Sequence, residues 1–234
     1  MKGHWVNIAA ADGGQIPTYL SLPRTGAIGP AVAVVPSIFG VKEDMIAYAD
    51  DLAANGFCAA IPNPFWRDED PQEMPVSPDG RARAFARMGR IDRDVNIADL
   101  GDVIAHVQGL DCCNGKAALV GFCMGGQFAL LAPKRLGLDA GIAFHSSKVS
   151  PYLEEVADLA VPIRFHWGDA DSAAPMAEEI APVQAAFAKM ADAEVAIYPG
   201  IVHGFMQWTN EAAYDKAAAT ASWQACLETL ARLR

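Results

Sequence analysis

The apolar run Ala117-Ala118-Leu119-Val120 leads directly into Gly121-Phe122-Cys123-Met124-Gly125-Gly126, and a second apolar stretch, 127–136, follows. This order predicts a strand, a sharp turn and a helix. A turn of that kind folds the backbone close upon itself, and glycine is the residue that leaves room on its inner faces. The residue at the tip, Cys123, projects over the positive end of the following helix, where an anion is favoured. The G-x-C-x-G spacing is that of a nucleophile turn with cysteine in the nucleophile's place. A chain built around such a unit alternates strands with helices.

The rest of the sequence carries the same alternation. Residues 4–9 and 15–22 alternate in polarity around Asp12-Gly13-Gly14, which predicts an antiparallel hairpin. Further strands are expected at 31–35, 57–61, 140–144, 163–167 and 195–198, and helices at 43–55 (closed by Gly56), 91–109, about 175–190 and 210–233. Residues 62–90 read as a polar excursion rich in arginine and broken by prolines. A hairpin followed by alternating elements places the chain in the α/β class, with a mostly parallel sheet and helices on both faces. No repeat or low-complexity linker interrupts it, so a single domain over 1–234 is expected. Sheets of this type gather function in the loops at the carboxyl ends of their strands.

Composition narrows the partners. The 234 residues carry a net charge of −10 and a pI near 4.9, which argues against binding nucleic acid or an anionic membrane. The start, Met1-Lys2-Gly3-His4-Trp5, lacks the apolar core of a signal peptide, and no apolar run has the length of a membrane span. The five cysteines, an odd number, fit reduced thiols in a cytoplasm. Cys58 and Cys226 lie in apolar segments and are expected to pack as small hydrophobes, while Cys112-Cys113 reads as a surface turn before Asn114-Gly115. No second Cys/His pair stands at ligand spacing, so Cys112-Cys113 does not read as a metal pattern. A small-molecule substrate and a monomer or small homo-oligomer complete this expectation.

Three residues at successive strand ends form a chemically sensible set: Cys123 as nucleophile, Asp171 in Gly168-Asp169-Ala170-Asp171, and His203 in Pro199-Gly200-Ile201-Val202-His203-Gly204-Phe205. A thiol near its ordinary pKa is mostly protonated at neutral pH, and the thiolate is the attacking species. An imidazole can take the proton, and a carboxylate behind it fixes the tautomer and stabilises the imidazolium. Asp169 competes with Asp171 for the last role, and the G-x-x-D-x-x-x-P frame from Gly168 to Pro175 favours Asp171. His145, after the strand at 140–144, is a second base or a substrate contact; His166 is expected to pack within its strand, and His4 and His106 carry no role. Two backbone donors are needed for an oxyanion. One is expected at Met124, the other at Ile38 in the loop Pro36-Ser37-Ile38-Phe39-Gly40.

With these residues in view the chain resembles the dienelactone hydrolases (carboxymethylenebutenolidases) of the α/β-hydrolase superfamily. The matching pieces are Ile38-Phe39-Gly40, Pro64-Phe65-Trp66-Arg67, the turn Gly121 to Gly126, the frame Gly168 to Pro175, and His203-Gly204-Phe205. The resemblance implies an α/β-hydrolase fold and a Cys-His-Asp hydrolase of esters or lactones that works through an acyl-thioester, with no metal and no organic cofactor. Two departures concern the substrate. Ser37 stands where family members carry a glutamate that assists the thiol, and Gln207 stands where they carry an arginine that holds a substrate carboxylate. A second family arginine best matches Arg81, with Arg83 close behind. Ser37, Phe39, Arg81, His145, Phe205 and Gln207 are thus the expected substrate contacts, with Trp66 a further apolar candidate. One charged contact fewer weakens a carboxylate clamp by about 1.5–3 kcal/mol, which turns attention to less anionic esters or lactones. The alternatives are a carboxylesterase or thioesterase with another natural substrate, and a ligand-binding protein without catalysis. The elbow also matches that of glutamine amidotransferases, but those place an acid two residues after the histidine, where this chain has Phe205.

Overall fold

A computed structural model describes residues 2–234. The chain divides into two compact units, one of residues 2–117 with Leu233 and Arg234, the other Ala118–Arg232. The division falls within a long strand, β5.

The first unit opens with the expected hairpin. β1 (His4–Ala9) pairs antiparallel with β2 (Gln15–Ser21), and Gly13 at its tip has φ +94°. β2 then pairs antiparallel with β4 (Cys58–Pro62), and β4 pairs parallel with β3 (Gly29–Val35), in the order β1-β2-β4-β3. Every residue of β3 and β4 is buried, as a parallel strand covered on both faces requires. α1 (Glu43–Ala54) packs on β2 and β4, and α3 (Arg93–Gln108) packs across the strands of this unit. Asp50 of α1 ties the helix down by accepting hydrogen bonds from the hydroxyls of Tyr19 (3.0 Å) and Ser21 (2.7 Å).

The second unit carries the order β5-β6-β7-β8, all parallel: β5 (Cys113–Phe122), β6 (Ala140–Phe144), β7 (Ile163–Gly168) and β8 (Ala193–Tyr198). Phe165 meets Phe187 of α5 (Ala181–Phe187), whereas Phe144, in register with His166, meets Trp223 of α6 (Lys216–Ala231). Neighbouring residues of a strand point to opposite faces, so α5 and α6 cover opposite faces of these strands. α4 (Gly125–Leu136) packs on β6 and ends at Gly137, φ +70°.

Several elements differ from the expectation. The excursion at 62–90 contains a helix, α2 (Pro78–Met88), started by the Ser77 hydroxyl accepting from Gly80 N and by proline in the first turn. The segment expected as one helix over 175–190 is a π-helical turn, Met176–Ile180, followed by the short α5. The last helix starts at Lys216 rather than 210, because Asp215 caps it by accepting from Ala218 N at 2.8 Å. β5 begins four residues earlier than expected, so Cys113 lies in a strand. Cys58 and Cys226 are buried as expected, and the Cys58 thiol stands 3.0 Å from that of Cys112. Among the described residues no helix is long and apolar enough to cross a membrane.

Candidate active site

The second unit brings Cys123, His203 and Asp171 together. Cys123 sits between β5 and α4 at φ +56°, a left-handed value that a side chain adopts at a cost. The turn is held by Cys123 N donating to Phe144 O (3.0 Å) and Gly126 N donating to Cys123 O (3.1 Å). A Cβ on Gly121 would collide with the carbonyl of Gly125, and one on Gly126 with the Ser146 hydroxyl. Gly121 and Gly126 are therefore required by close approach, one on each side of Cys123.

His203 lies in the loop after β8. Its Nε2 is 3.2 Å from Cys123 Sγ, and its Nδ1 is 2.8 Å and 3.0 Å from the two carboxylate oxygens of Asp171. A carboxylate only accepts, so Nδ1 carries a hydrogen and Nε2 faces the thiol. Asp171 is buried, and its Oδ1 also accepts from Ala173 N (2.8 Å) and Ala174 N (3.2 Å). Asp169, its competitor, points elsewhere: its carboxylate accepts from Gly200 N at 2.6 Å. Burial works against a charged His203, but the Cys123 thiolate and the bond to Asp171 outweigh it, and the pKa is pushed up to about 10. The neighbouring groups favour an imidazolium at His203.

His145, Phe205 and Gln207 also belong to this unit. His145 and Phe205 have no solvent exposure and pack against each other at 5.6 Å, and Gln207 is 4% exposed.

The remaining expected residues belong to the first unit. Ser37 starts a tight turn closed by Gly40 N donating to Ser37 O (3.0 Å), with its hydroxyl accepting from Phe39 N at 3.4 Å. Ser37, Ile38 and Phe39 are buried, and the exposed Arg81 guanidinium lies 5.6 Å from the Phe39 ring. Trp66 is engaged by Arg67 over its ring (4.0 Å) and donates to Asp99 at 2.8 Å. Sequence reasoning passed over Arg87 of α2. It is wholly buried, donates to the carbonyls of Asp70, Gln72 and Ile38 at 2.8, 2.6 and 2.8 Å, and lies 3.6 Å over the Phe65 ring. The signal was weak: one more arginine in a segment of arginines.

A sequence profile of the dienelactone hydrolase family matches residues 16–233. The chain belongs to the dienelactone hydrolase family. It is 27% identical to carboxymethylenebutenolidase 1 of Cupriavidus pinatubonensis over 100% of this chain and 99% of that one. A Bradyrhizobium sp. protein assigned as a 2-oxo-3-(5-oxofuran-2-ylidene)propanoate lactonase is 30% identical, over 94% of this chain and 90% of the relative. A solved structure assigned as a dienelactone hydrolase, from Klebsiella pneumoniae subsp. pneumoniae, superimposes with a TM-score of 0.85 at 24% identity, covering 98% of both chains. The fold is that of the α/β-hydrolases, and the protein is a hydrolase of lactone or ester bonds.

Proposed function

We propose that this chain opens a small lactone or ester by nucleophilic attack of Cys123, with His203 as base and acid and Asp171 behind it. The observation that carries the reading is the continuous line of contacts from Cys123 Sγ through His203 to Asp171. His203 Nε2 takes the thiol proton, and the thiolate attacks the substrate carbonyl to form a tetrahedral oxyanion. The Met124 amide, next to the nucleophile at the start of α4, is the proposed donor to that oxygen. The resemblance assigns the second donor to Ile38. Collapse breaks the carbon–oxygen bond, and His203 returns the proton to the departing alkoxide. In a lactone that alkoxide stays tethered to the acyl group. Water deprotonated by His203 then cleaves the acyl-thioester, releasing the acid and restoring the thiol.

The lactonase relative supports a lactone substrate. Gln207 favours one with less negative charge than a carboxylate-bearing dienelactone, because it does not supply the arginine found at the matching family position. Ser37 is unable to act as a carboxylate base, which leaves proton removal from Cys123 to His203. The deciding experiment is steady-state hydrolysis of a dienelactone and of a neutral activated ester, by wild type and Cys123→Ala. Turnover that falls by roughly a thousandfold or more in the variant is expected. Full activity in Cys123→Ala sinks the reading. Turnover of the neutral ester alone keeps the chemistry and moves the substrate class.

A further inference from the structure

His145 sits at the carboxyl end of β6, and its backbone continues the register there by donating from N to His166 O at 2.8 Å. Among the described residues three that are not glycine have positive φ: Cys123, His145 (φ 38°) and Lys148 (φ 58°). Two of the three thus lie in one short loop, beside the residue proposed as nucleophile. That loop is pinned from several sides. Trp167 Nε1 donates to Ser146 O (2.7 Å), and Gln127 Nε2 donates to Ser147 O (3.0 Å). The buried Glu179 accepts from Val149 N, Ser150 N and the Ser150 hydroxyl. Such over-determination is what keeps a strained backbone in place.

The ring held by this loop is chemically out of place. It has no solvent exposure, and neither Nδ1 nor Nε2 reaches a hydrogen-bond partner among the described residues. A phenylalanine would fill similar space without stranding two polar atoms. What the ring does contact is the proposed base: His145 and His203 meet edge-to-face, with centroids 4.9 Å apart and planes at 74°. Phe205 closes a second side at 5.6 Å and Phe122 of β5 a third at 6.2 Å. His203 is the charged group that acts on His145, and Cys123 and Asp171 reach it through His203. Burial first, and then the charge of His203, hold His145 well below the ordinary histidine range, so its ring is neutral.

We propose that His145 is a positioning residue: a neutral, polar ring set square against His203, which fixes the base between Asp171 and Cys123 and stabilises the imidazolium formed when the thiol gives up its proton. The proposal rests on the hydrolase reading for its catalytic meaning, but its physical content is a statement about the Cys123 thiolate alone. Aromatic pairs prefer this edge-to-face geometry. A neutral imidazole adds what a hydrocarbon ring lacks, a nitrogen dipole close to a developing positive charge.

The test compares wild type, His145→Phe and His145→Gln in two assays: the pH dependence of Cys123 alkylation by iodoacetamide, with Cys123→Ala as the blank, and ester turnover. His145→Phe keeps the aromatic packing and removes both nitrogens; replacing unpaired buried polar atoms by apolar ones is neutral or stabilising, so its thermal midpoint is expected to match or exceed wild type. Its alkylation midpoint is expected to rise by roughly half a pH unit or more. Its kcat is expected to fall about tenfold or more, with KM within about twofold. His145→Gln restores a neutral polar group and is expected to recover part of the midpoint shift, and it keeps the test alive should His145→Phe fail to fold. A wild-type alkylation profile and kcat in His145→Phe overturn the proposal and make His145 a packing residue. A shifted profile in a protein whose ester turnover survives Cys123→Ala leaves the positioning role standing and removes the reading of Cys123 as nucleophile. Normal turnover with an unmoved profile does the reverse.

Discussion

Asp171 and Asp169 differ by two positions and by everything that matters to a base. Asp171 holds both its oxygens on His203 Nδ1 while two backbone amides fix its own orientation. Asp169 accepts from Gly200 N in a turn. In Asp171→Asn the amide group presents a donor as well as an acceptor, which allows the opposite His203 tautomer and points an N–H at the thiol. The expected loss in kcat is on the order of ten-thousandfold. In Asp169→Asn the side-chain oxygen can still accept from Gly200 N, so a loss within about threefold is expected. Steady-state kinetics of the two variants checks the assignment, and equal mild losses would hand the acid role to another group.

At the scale of elements, the proposed site was legible where function forces a local pattern. The turn at Cys123 announces itself because close approach on both sides demands glycine, and the proposed acid and base, Asp171 and His203, stand after strands that the alternation locates. What was illegible depends on contacts distant in sequence. Arg87 reaches Ile38 O across 49 residues, and nothing in the arginine-rich segment marks it as the buried one. α2 was missed because its prolines read as breakers, although Ser77-Pro78 is a good helix start. The buried nitrogens of His145 were unreadable for the same reason: the sequence places the residue after a strand, and only packing shows that its ring meets His203.

Arg87 also carries a prediction about this level. Burial pushes its pKa down to about 10 against the charges of Asp70 and Asp68, so it remains a cation at neutral pH. Its guanidinium serves three carbonyls, joining α2, the segment at 70–72 and the turn at 37–40. Arg87→Met leaves those carbonyls without their donor and is expected to cost about 3 kcal/mol or more. Arg87→Lys keeps the charge but not the planar fork, so an intermediate loss is expected. Urea unfolding midpoints at neutral pH measure both, and an unchanged midpoint in Arg87→Met would show that water replaces the fork at no cost.

For the whole molecule, acidity separates the histidines from the carboxylates. His166, between Phe144 and Tyr198 in the second unit, has its pKa lowered to about 4 by burial and then by the charge of Arg164. The unfolded chain would titrate this group near 6.5. Between those values the unfolded state binds more protons than the folded one, so stability falls as pH falls through that window. The full difference corresponds to about 3 kcal/mol. His145, lowered in the same direction by burial and then by the charge of His203, adds to the slope. The salt-bridged carboxylates behave oppositely in position. Asp68, Asp192 and Glu155 are held below their ordinary values of 3.8, 3.8 and 4.5 by Arg90, by Arg232 and Arg164, and by Arg135. Their contribution is present above those values and is lost only as pH falls below them. A fall in thermal midpoint between pH 6.5 and 4.5 therefore belongs to buried histidines. His166→Gln, which cannot titrate, is expected to match wild type near pH 7 and to retain several degrees more of its midpoint at pH 4.5. Parallel curves for wild type and His166→Gln would mean that His166 takes up its proton in the fold as readily as in the unfolded chain, and that the strands around it open to water before they accept a buried charge.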